Sequence, residues 1–188
     1  MKTFQHVYPL SFVYNYLFSG AIIPSNYLCS RFLANPAINS NKLSVVYSGI
    51  DFSALNSALE RLPDRILCWL GSHFGPVISR GAILRREKGP GTILRALVEV
   101  KKAFWNVHYL TAGEDQDKSL LEAEIARLGL GENVLLTGIL KKIAPFLRKS
   151  DLAVLSSLFE SLGMLQIEVQ YLKCRLLQVG CVAFGKRC

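Results

Sequence analysis

Two glutamates have the clearest chemical context in this sequence, Glu160 and Glu168, which seven residues separate. The apolar run 152–155 predicts a buried strand and residues 164–173 predict a helix, so Glu160 falls in a strand-to-helix turn. In open parallel sheets, ligands bind beyond the carboxyl ends of strands, where helix N-termini present N–H groups that suit phosphate. From this turn Glu160 can reach a ligand's hydroxyls. Glu168, one to two turns into the helix, must accept hydrogen bonds from a polar group if it faces the crevice.

A second candidate is the basic segment that ends in Lys88 and Gly89. Residues 77–84 predict a strand and residues 92–104 an amphipathic helix, so the cations of this segment lie on a loop between a strand and a helix start. Such a loop lies over the same edge of a parallel sheet as Glu160. The alternative interpretation of this segment is a solvated basic loop. The alternative for Glu160 and Glu168 is a pair of solvated glutamates on a surface helix.

Short apolar runs alternate along the chain with helical patterns of about 10–15 residues, which predicts right-handed βαβ units and a parallel sheet. The predicted strands are 21–23, 43–47, 77–84, 106–112, 133–137, 152–155 and 176–184. The predicted helices are 1–19, 26–34 with Ser25 as N-cap, 52–62, 92–104, 118–128, 141–149 and 164–173. The run 65–71 is also β-capable. The expected fold class is therefore α/β, a Rossmann-like parallel sheet with flanking helices.

Length and charge limit the function classes. With 188 residues, of which 51% are hydrophobic, the chain can bury a core and suits one domain and a piece of another. The net charge of +8 favours phosphate-bearing ligands, nucleic acid or an anionic membrane surface. Aromatic residues do not interleave with the basic clusters as a stacking platform requires, so we expect no nucleic-acid partner.

Cysteine and histidine usage indicates a reduced chain without a metal site. The five cysteines lack a C-x-x-C pair, which predicts free thiols and a cytoplasmic location. His6, His73 and His108 are scattered, and we expect no metal cofactor. No apolar run is long and unbroken enough to span a bilayer, so any membrane association would be peripheral, at an acidic inner face.

The letters around the two glutamates, S-S-L-F-E-S-L-G-M-L-Q-I-E-V over 156–169, resemble the E-x7-E signature of the retaining, family 4 glycosyltransferases. The bare spacing is common by chance, but the buried strand ahead of it, E-S-L-G in the turn and I-E on the helix make it more specific. The words L-T-A-G-E-D, L-G-L-G-E-N-V, L-T-G and S-D-L-A-V-L-S-S also resemble the family, over roughly residues 21–173 in all. The resemblance implies a GT-B fold, in which the second of two Rossmann-like domains binds a nucleotide-diphosphate sugar.

The resemblance also implies roles for individual residues. Glu160 would hold sugar hydroxyls and Glu168 the nucleotide ribose. The loop ending in K-G would grip the diphosphate through Lys88 and an arginine, which the family commonly carries five residues earlier, where this chain has Ile83. Some relatives carry L-R-x-x-K-G, as this chain does over 84–89, so Arg85 is our candidate for the arginine that contacts the diphosphate. Arg86 is the other arginine that could take this role. The resulting predictions are Glu160, Lys88 and Arg85 as catalytic residues and Glu168, Ser161, Leu162, Gly163 and Met164 as donor-binding residues. Gly138 is added to the donor-binding residues because it follows a predicted strand, at whose carboxyl end it would border the nucleobase; the alternative there is a plain turn.

The resemblance divides the chain into two parts. Residues 1–51 are expected to be a remnant of the N-terminal acceptor domain and its linker, because 48–51, S-G-I-D, resembles the family's N-G-V-D at the domain crossing. Residues 52–188 are expected to form a Rossmann-like donor-binding domain that is incomplete at its C-terminus. After residue 173 the sequence departs from the family, which continues with a proline-led strand and a Gly-Gly loop.

We therefore expect transfer of a hexose from a nucleotide-diphosphate sugar, without a metal, in a donor-binding fragment that is weakly active or inactive alone. The alternative is a noncatalytic nucleotide- or partner-binding module, a decayed remnant that associates through an exposed apolar edge. A glycoside hydrolase is disfavoured because a cationic loop adjoins the carboxylates. A dehydrogenase is disfavoured because no G-x-G-x-x-G follows an early strand.

Overall fold

The computed structural model describes residues 14–56, 61–82, 84, 88–114, 118–157 and 163–179. The described residues belong to two compact units, one of residues 14–49 and one of residues 50–179. The assignment of residues 1–51 to an acceptor domain stays a prediction.

The first unit contains two short parallel strands joined by a helix. The strands β1 (Ala21–Ile23) and β2 (Leu43–Val45) flank helix α1 (Asn26–Leu33). The side chain of Ser25 accepts a hydrogen bond from the amide of Leu28, so the helix begins with the N-cap that the sequence predicts.

The second unit is a parallel sheet covered by helices on both faces. Its described strands are β3 (Val77–Gly81), β4 (His108–Ala112), β5 (Val134–Gly138), β6 (Leu152–Leu155) and β7 (Arg175–Gln178). Its described helices are α2 (Phe52–Asn56), α3 (Asp64–Ser72), α4 (Pro90–Ala103), α5 (Lys118–Arg127), α6 (Ala144–Arg148) and α7 (Met164–Tyr171). Every strand pairing among these five is parallel. The α/β fold with a Rossmann-like sheet is confirmed.

The strand order of this sheet is β5-β4-β3-β6-β7. The chain moves outward from β3 to β4 and β5, and then returns to the other side of β3 as β6. The order therefore reverses between β3 and β6. In open parallel sheets such a reversal opens a crevice beyond the carboxyl ends of the two strands, which is where ligands bind.

Two clusters of buried apolar side chains cover the two faces of the sheet. One contains Leu110 and Leu155 from the strands with Val169 from α7. The other contains Tyr109 and Val154 with Leu94 from α4. Because side chains alternate along a strand, neighbouring residues serve opposite clusters, and a strand covered on both faces is apolar at nearly every position. All five residues of β4 are buried.

Several predicted elements differ from the structure in type or bounds. The strands predicted at 43–47 and 176–184 are the shorter β2 and β7, the helix predicted at 141–149 is the shorter α6, and residues 1–13 of the helix predicted at 1–19 lie outside the described residues. The β-capable assignment of 65–71 is wrong, because this run lies within α3, where Ile66 is buried and Leu70, one turn later, packs on the same cluster. The start signals are Pro63 and Asp64 at the head of the helix. The predicted strand 77–84 ends at Gly81, and the predicted helix 52–62 has ended by residue 61.

A buried histidine opens β4 and makes stability depend on pH. His108 is 4% exposed, and its ring lies edge-on to the rings of Trp69 and His73. Burial lowers the pKa of His108 below its usual 6.5; His73 adds to this, and the backbone at Phe74 opposes it. The folded protein therefore binds this proton less readily than the unfolded chain. The stability that neutral His108 contributes is complete above about pH 6.5 and is lost as the pH falls below that value.

We predict that His108→Phe, which keeps an aromatic ring edge-on to the stacked rings of Trp69 and His73, flattens the pH dependence of stability below pH 6.5. One proton accounts for at most about 1.4 kcal/mol per pH unit. Urea unfolding of both proteins at pH 7.5, 6.0 and 5.0 measures the difference. Parallel losses in wild type and variant between pH 6.5 and 5.0 would show that His108 is not the responsible group.

Candidate functional site

Two helices begin at the reversal point of the sheet with a left-handed glycine. Gly89 has a φ of 67° and precedes Pro90, the first residue of α4, and Gly163 has a φ of 72° and precedes α7. No side chain among the described residues caps either helix start. Pro90 has no N–H, and the amides of Thr92 and Gln166 donate to the carbonyls of Gly89 and Gly163. The amides of Gly91 in α4 and of Met164 and Leu165 in α7 are therefore available to a bound group, and the helix dipole favours a negative one.

The loop before α4 is attached to the ends of both central strands. The carbonyl of Lys88 accepts a hydrogen bond from Nη2 of Arg80 in β3 at 2.8 Å. It also accepts one from Oγ of Ser156, the residue after β6, at 2.9 Å. The same hydroxyl lies 3.1 Å from the carbonyl of Gly89. Lys88 therefore lies at the carboxyl edge of β3 and β6, at the crevice.

Gly89 is required by a close backbone approach. A Cβ atom at this position would lie 2.3 Å from the carbonyl oxygen of Ser156, and the positive φ is unfavourable for any other residue. Only glycine lets the main chain before α4 lie directly on the main chain after β6.

The start of α7 reaches the same edge from the other face of the sheet. A Cβ added to Gly81, the last residue of β3, would lie 3.4 Å from the side chain of Leu165, in the first turn of α7, and 2.9 Å from Ile143. Met164 and Gly163 precede Leu165 directly. The N-termini of α4 and α7 therefore flank the carboxyl ends of β3 and β6.

Glu168 lies in the second turn of α7 and is partly buried. Burial raises the pKa of its carboxyl group. No other residue in the described part of the chain gives it a hydrogen bond or an ion pair that would offset this cost. A partly buried carboxylate with open acceptor sites, in the second turn of α7, is suited to ligand hydroxyl groups.

The remaining predicted site residues fall into two groups. Gly138 ends β5 with a φ of 77°, two strands from β3, so it lies on the same edge at about 10 Å from that strand. Glu160, Ser161, Leu162 and Arg85 lie outside the described residues, and their roles stay predictions. The structure thus brings Lys88, Gly163 and Met164 to one edge and leaves Gly138 further along it.

Sequence reasoning missed Arg80 and Ser156 as site residues. Arg80 carries a charge, yet it is 1% exposed. The available signal was its position inside the apolar strand segment V-I-S-R-G, where a charged residue needs a specific partner.

Two further observations concern metals and membranes. Within the ranges the structure describes, no group of three or more His, Cys, Asp or Glu side chains is arranged to hold a metal ion. In the same ranges, no helix has the length and apolar character needed to cross a bilayer.

Comparison with known families decides what this chain is. The model of the family described as glycosyl transferases group 1 matches residues 77–177, from β3 to β7, which is just over half of the chain. The chain belongs to this family. An uncharacterized glycosyltransferase of Methanocaldococcus jannaschii is 31% identical over 98 residues, which are 52% of this chain and 24% of that protein.

Solved structures agree with the family in fold. Anabaena HepE in complex with UDP and glucose superposes with a TM-score of 0.74 at 19% identity, over 94% of this chain and 48% of that one. A glycosyltransferase from Rickettsia africae gives a TM-score of 0.71 at 19% identity, over 93% of this chain and 48% of that one. The chain therefore spans about a quarter of the length of the curated relative and about half of these structures.

We predict that Gly89→Ala destabilises the protein by at least about 1–2 kcal/mol, the cost of a left-handed conformation for a residue with a side chain. Displacement of the Ser156 main chain adds to this cost. Gly131→Ala is the matched control, because no atom lies within 4 Å of its added Cβ and its φ is not positive. Urea unfolding compares the two. Equal stability of Gly89→Ala and Gly131→Ala would contradict the close approach.

Proposed function

We propose that this chain binds a nucleotide-diphosphate sugar at the carboxyl edge of β3 and β6 and serves in retaining, family 4 type transfer of a hexose. The observation that carries the proposal is the convergence of Lys88 and the starts of α4 and α7 at the reversal point of the sheet. Family membership and the solved neighbours support it, since HepE has been crystallised with UDP and with UDP-glucose.

The chemistry follows from where charge develops. In transfer from a nucleotide sugar, the anomeric carbon gains oxocarbenium character and negative charge accumulates on the departing diphosphate. Cations and helix-end amides that are already in place stabilise this charge without reorganisation during the reaction. We assign the diphosphate to Lys88 and Arg85 and to the backbone from Ser161 to Met164. Because these groups neutralise the leaving group, our proposal requires no metal.

The carboxylates serve the sugars in this proposal. Glu160 holds hydroxyls of the transferred hexose, and Glu168 accepts hydrogen bonds from the nucleotide ribose. The raised pKa of Glu168 supports its assignment, because ribose hydroxyls supply the donors that it lacks among the described residues. Gly138 borders the base. Cytoplasmic location, association with an acidic membrane surface and contact through an apolar edge remain predictions.

We predict that Lys88→Ala weakens UDP binding about 10- to 100-fold, the range for losing a charge-assisted hydrogen bond. Binding of UMP, which lacks the β-phosphate, should change much less. Lys102→Ala is the matched control, because it removes the same charge from the far end of α4, about 20 Å away. Isothermal titration calorimetry of the 188-residue chain measures both ligands. No UDP binding by the wild type, or equal affinities of the two lysine variants, would refute the diphosphate site.

We predict that Glu168→Gln, unlike Lys88→Ala, does not distinguish UDP from UMP. Loss of a ribose contact should weaken the binding of UDP and of UMP to the same extent, because both carry the ribose, and leave the binding of inorganic pyrophosphate unaffected. Glu122→Gln, an exposed glutamate on α5, is the control. A Glu168→Gln variant that binds UMP like the wild type would remove Glu168 from the nucleotide site.

The noncatalytic alternative gives a different result in a turnover assay. Transfer or hydrolysis of a nucleotide-sugar donor by the chain, abolished by Glu160→Ala, is expected of the enzyme. Nucleotide binding without turnover is expected of the binding module.

A further inference from the structure

Arg80 is an unusual residue for the interior of a parallel sheet. It is the fourth of five residues in β3 and is 1% exposed. Removing a guanidinium from water costs several kcal/mol unless hydrogen bonds and nearby groups compensate. A hydrophobic residue would fill the position more cheaply, so the contacts that Arg80 makes identify its role.

The stem of Arg80 lies along β4. Its register partner there is Thr111, and Tyr109, two residues earlier, faces the same side of the sheet. Burial raises the pKa of the Tyr109 phenol, and the Arg80 cation on the same face of the sheet opposes this rise. The side chain therefore runs inside the unit, beneath the start of α4.

The far end of Arg80 holds the main chain that carries Lys88. Nη2 donates to the Lys88 carbonyl at 2.8 Å, and Ser156 donates to the same oxygen from the end of β6. Donors from two neighbouring strands thus meet on one carbonyl. The backbone of Gly89 also lies directly against that of Ser156, and this third contact further fixes the main chain at Lys88.

We propose that Arg80 is a positioning residue for the donor diphosphate. It sets the position of Lys88 at the carboxyl edge and does not itself touch the donor. This inference rests on the proposed function. An arginine suits the role because its planar, rigid guanidinium holds Nη2 at the Lys88 carbonyl in a fixed orientation, whereas a lysine ammonium is a flexible point charge.

A double-mutant cycle on UDP binding tests the proposal. We expect Arg80→Lys, which keeps the charge, to weaken UDP binding about tenfold, within the range for residues coupled in one hydrogen-bond network. In the Lys88→Ala background the same substitution should change UDP affinity less than about twofold, because no cation remains to be misplaced. Binding of UMP should change little in either background.

Two further variants separate positioning from general stability. Ser156→Ala removes the other donor to the Lys88 carbonyl and should show the same coupling to Lys88, with a smaller loss. It keeps the test decisive if Arg80→Lys does not fold. Leu130→Ala, at a fully buried site before β5, destabilises the fold through a cavity and should leave the ratio of UDP to UMP affinity unchanged.

The outcomes separate this inference from the proposed function. If the wild type does not bind UDP, or Lys88→Ala binds it normally, the proposed function fails. If both behave as proposed but Arg80→Lys and Ser156→Ala lose the same factor with and without Lys88, the positioning role is refuted. A change in the UDP to UMP ratio for Leu130→Ala as large as that for Arg80→Lys would also refute it.

Discussion

One main-chain carbonyl, that of Lys88, connects the loop before α4 to the sheet. Its hydrogen bonds to Arg80 and Ser156 join the loop to the adjacent strands β3 and β6, where the strand order reverses. A loop on the surface is ordinarily free to vary, but here two buried donors fix its main chain. The arrangement of cation, helix starts and crevice depends on this attachment.

In the proposed function, backbone groups supply much of the stabilisation of negative charge. The helices α4 and α7 both follow a glycine with positive φ, and no side chain of the described residues caps either start. The amides of Gly91, Met164 and Leu165 therefore remain as donors at these helix starts. Backbone dipoles of this kind keep their orientation when charge develops, which is the property that makes them effective in catalysis. The sheet supplies the geometry because the carboxyl ends of its parallel strands meet at one edge.

The sequence predicts the fold better than the site. Alternating apolar runs and amphipathic segments are local signals, and they correctly placed most described strands and helices, including the Ser25 cap. The prediction for residues 65–71 was wrong because an apolar stretch of that length suits either a strand or a buried helix face. The hydrogen bond between Ser156 and the Lys88 carbonyl joins residues 68 positions apart. It depends on the strand order, which no local sequence pattern indicates. The sequence marks Arg80 as a charged residue inside an apolar strand segment, but its hydrogen bond to the Lys88 carbonyl is apparent only in the structure.

The most direct measurement is a crystal structure of the chain with UDP. Our account predicts that the diphosphate lies beyond the carboxyl ends of β3 and β6, with Lys88 Nζ and amides of the first turn of α7 as donors and the ribose against Glu168. A diphosphate bound elsewhere, for example at the amino end of the sheet near His108, would contradict the account.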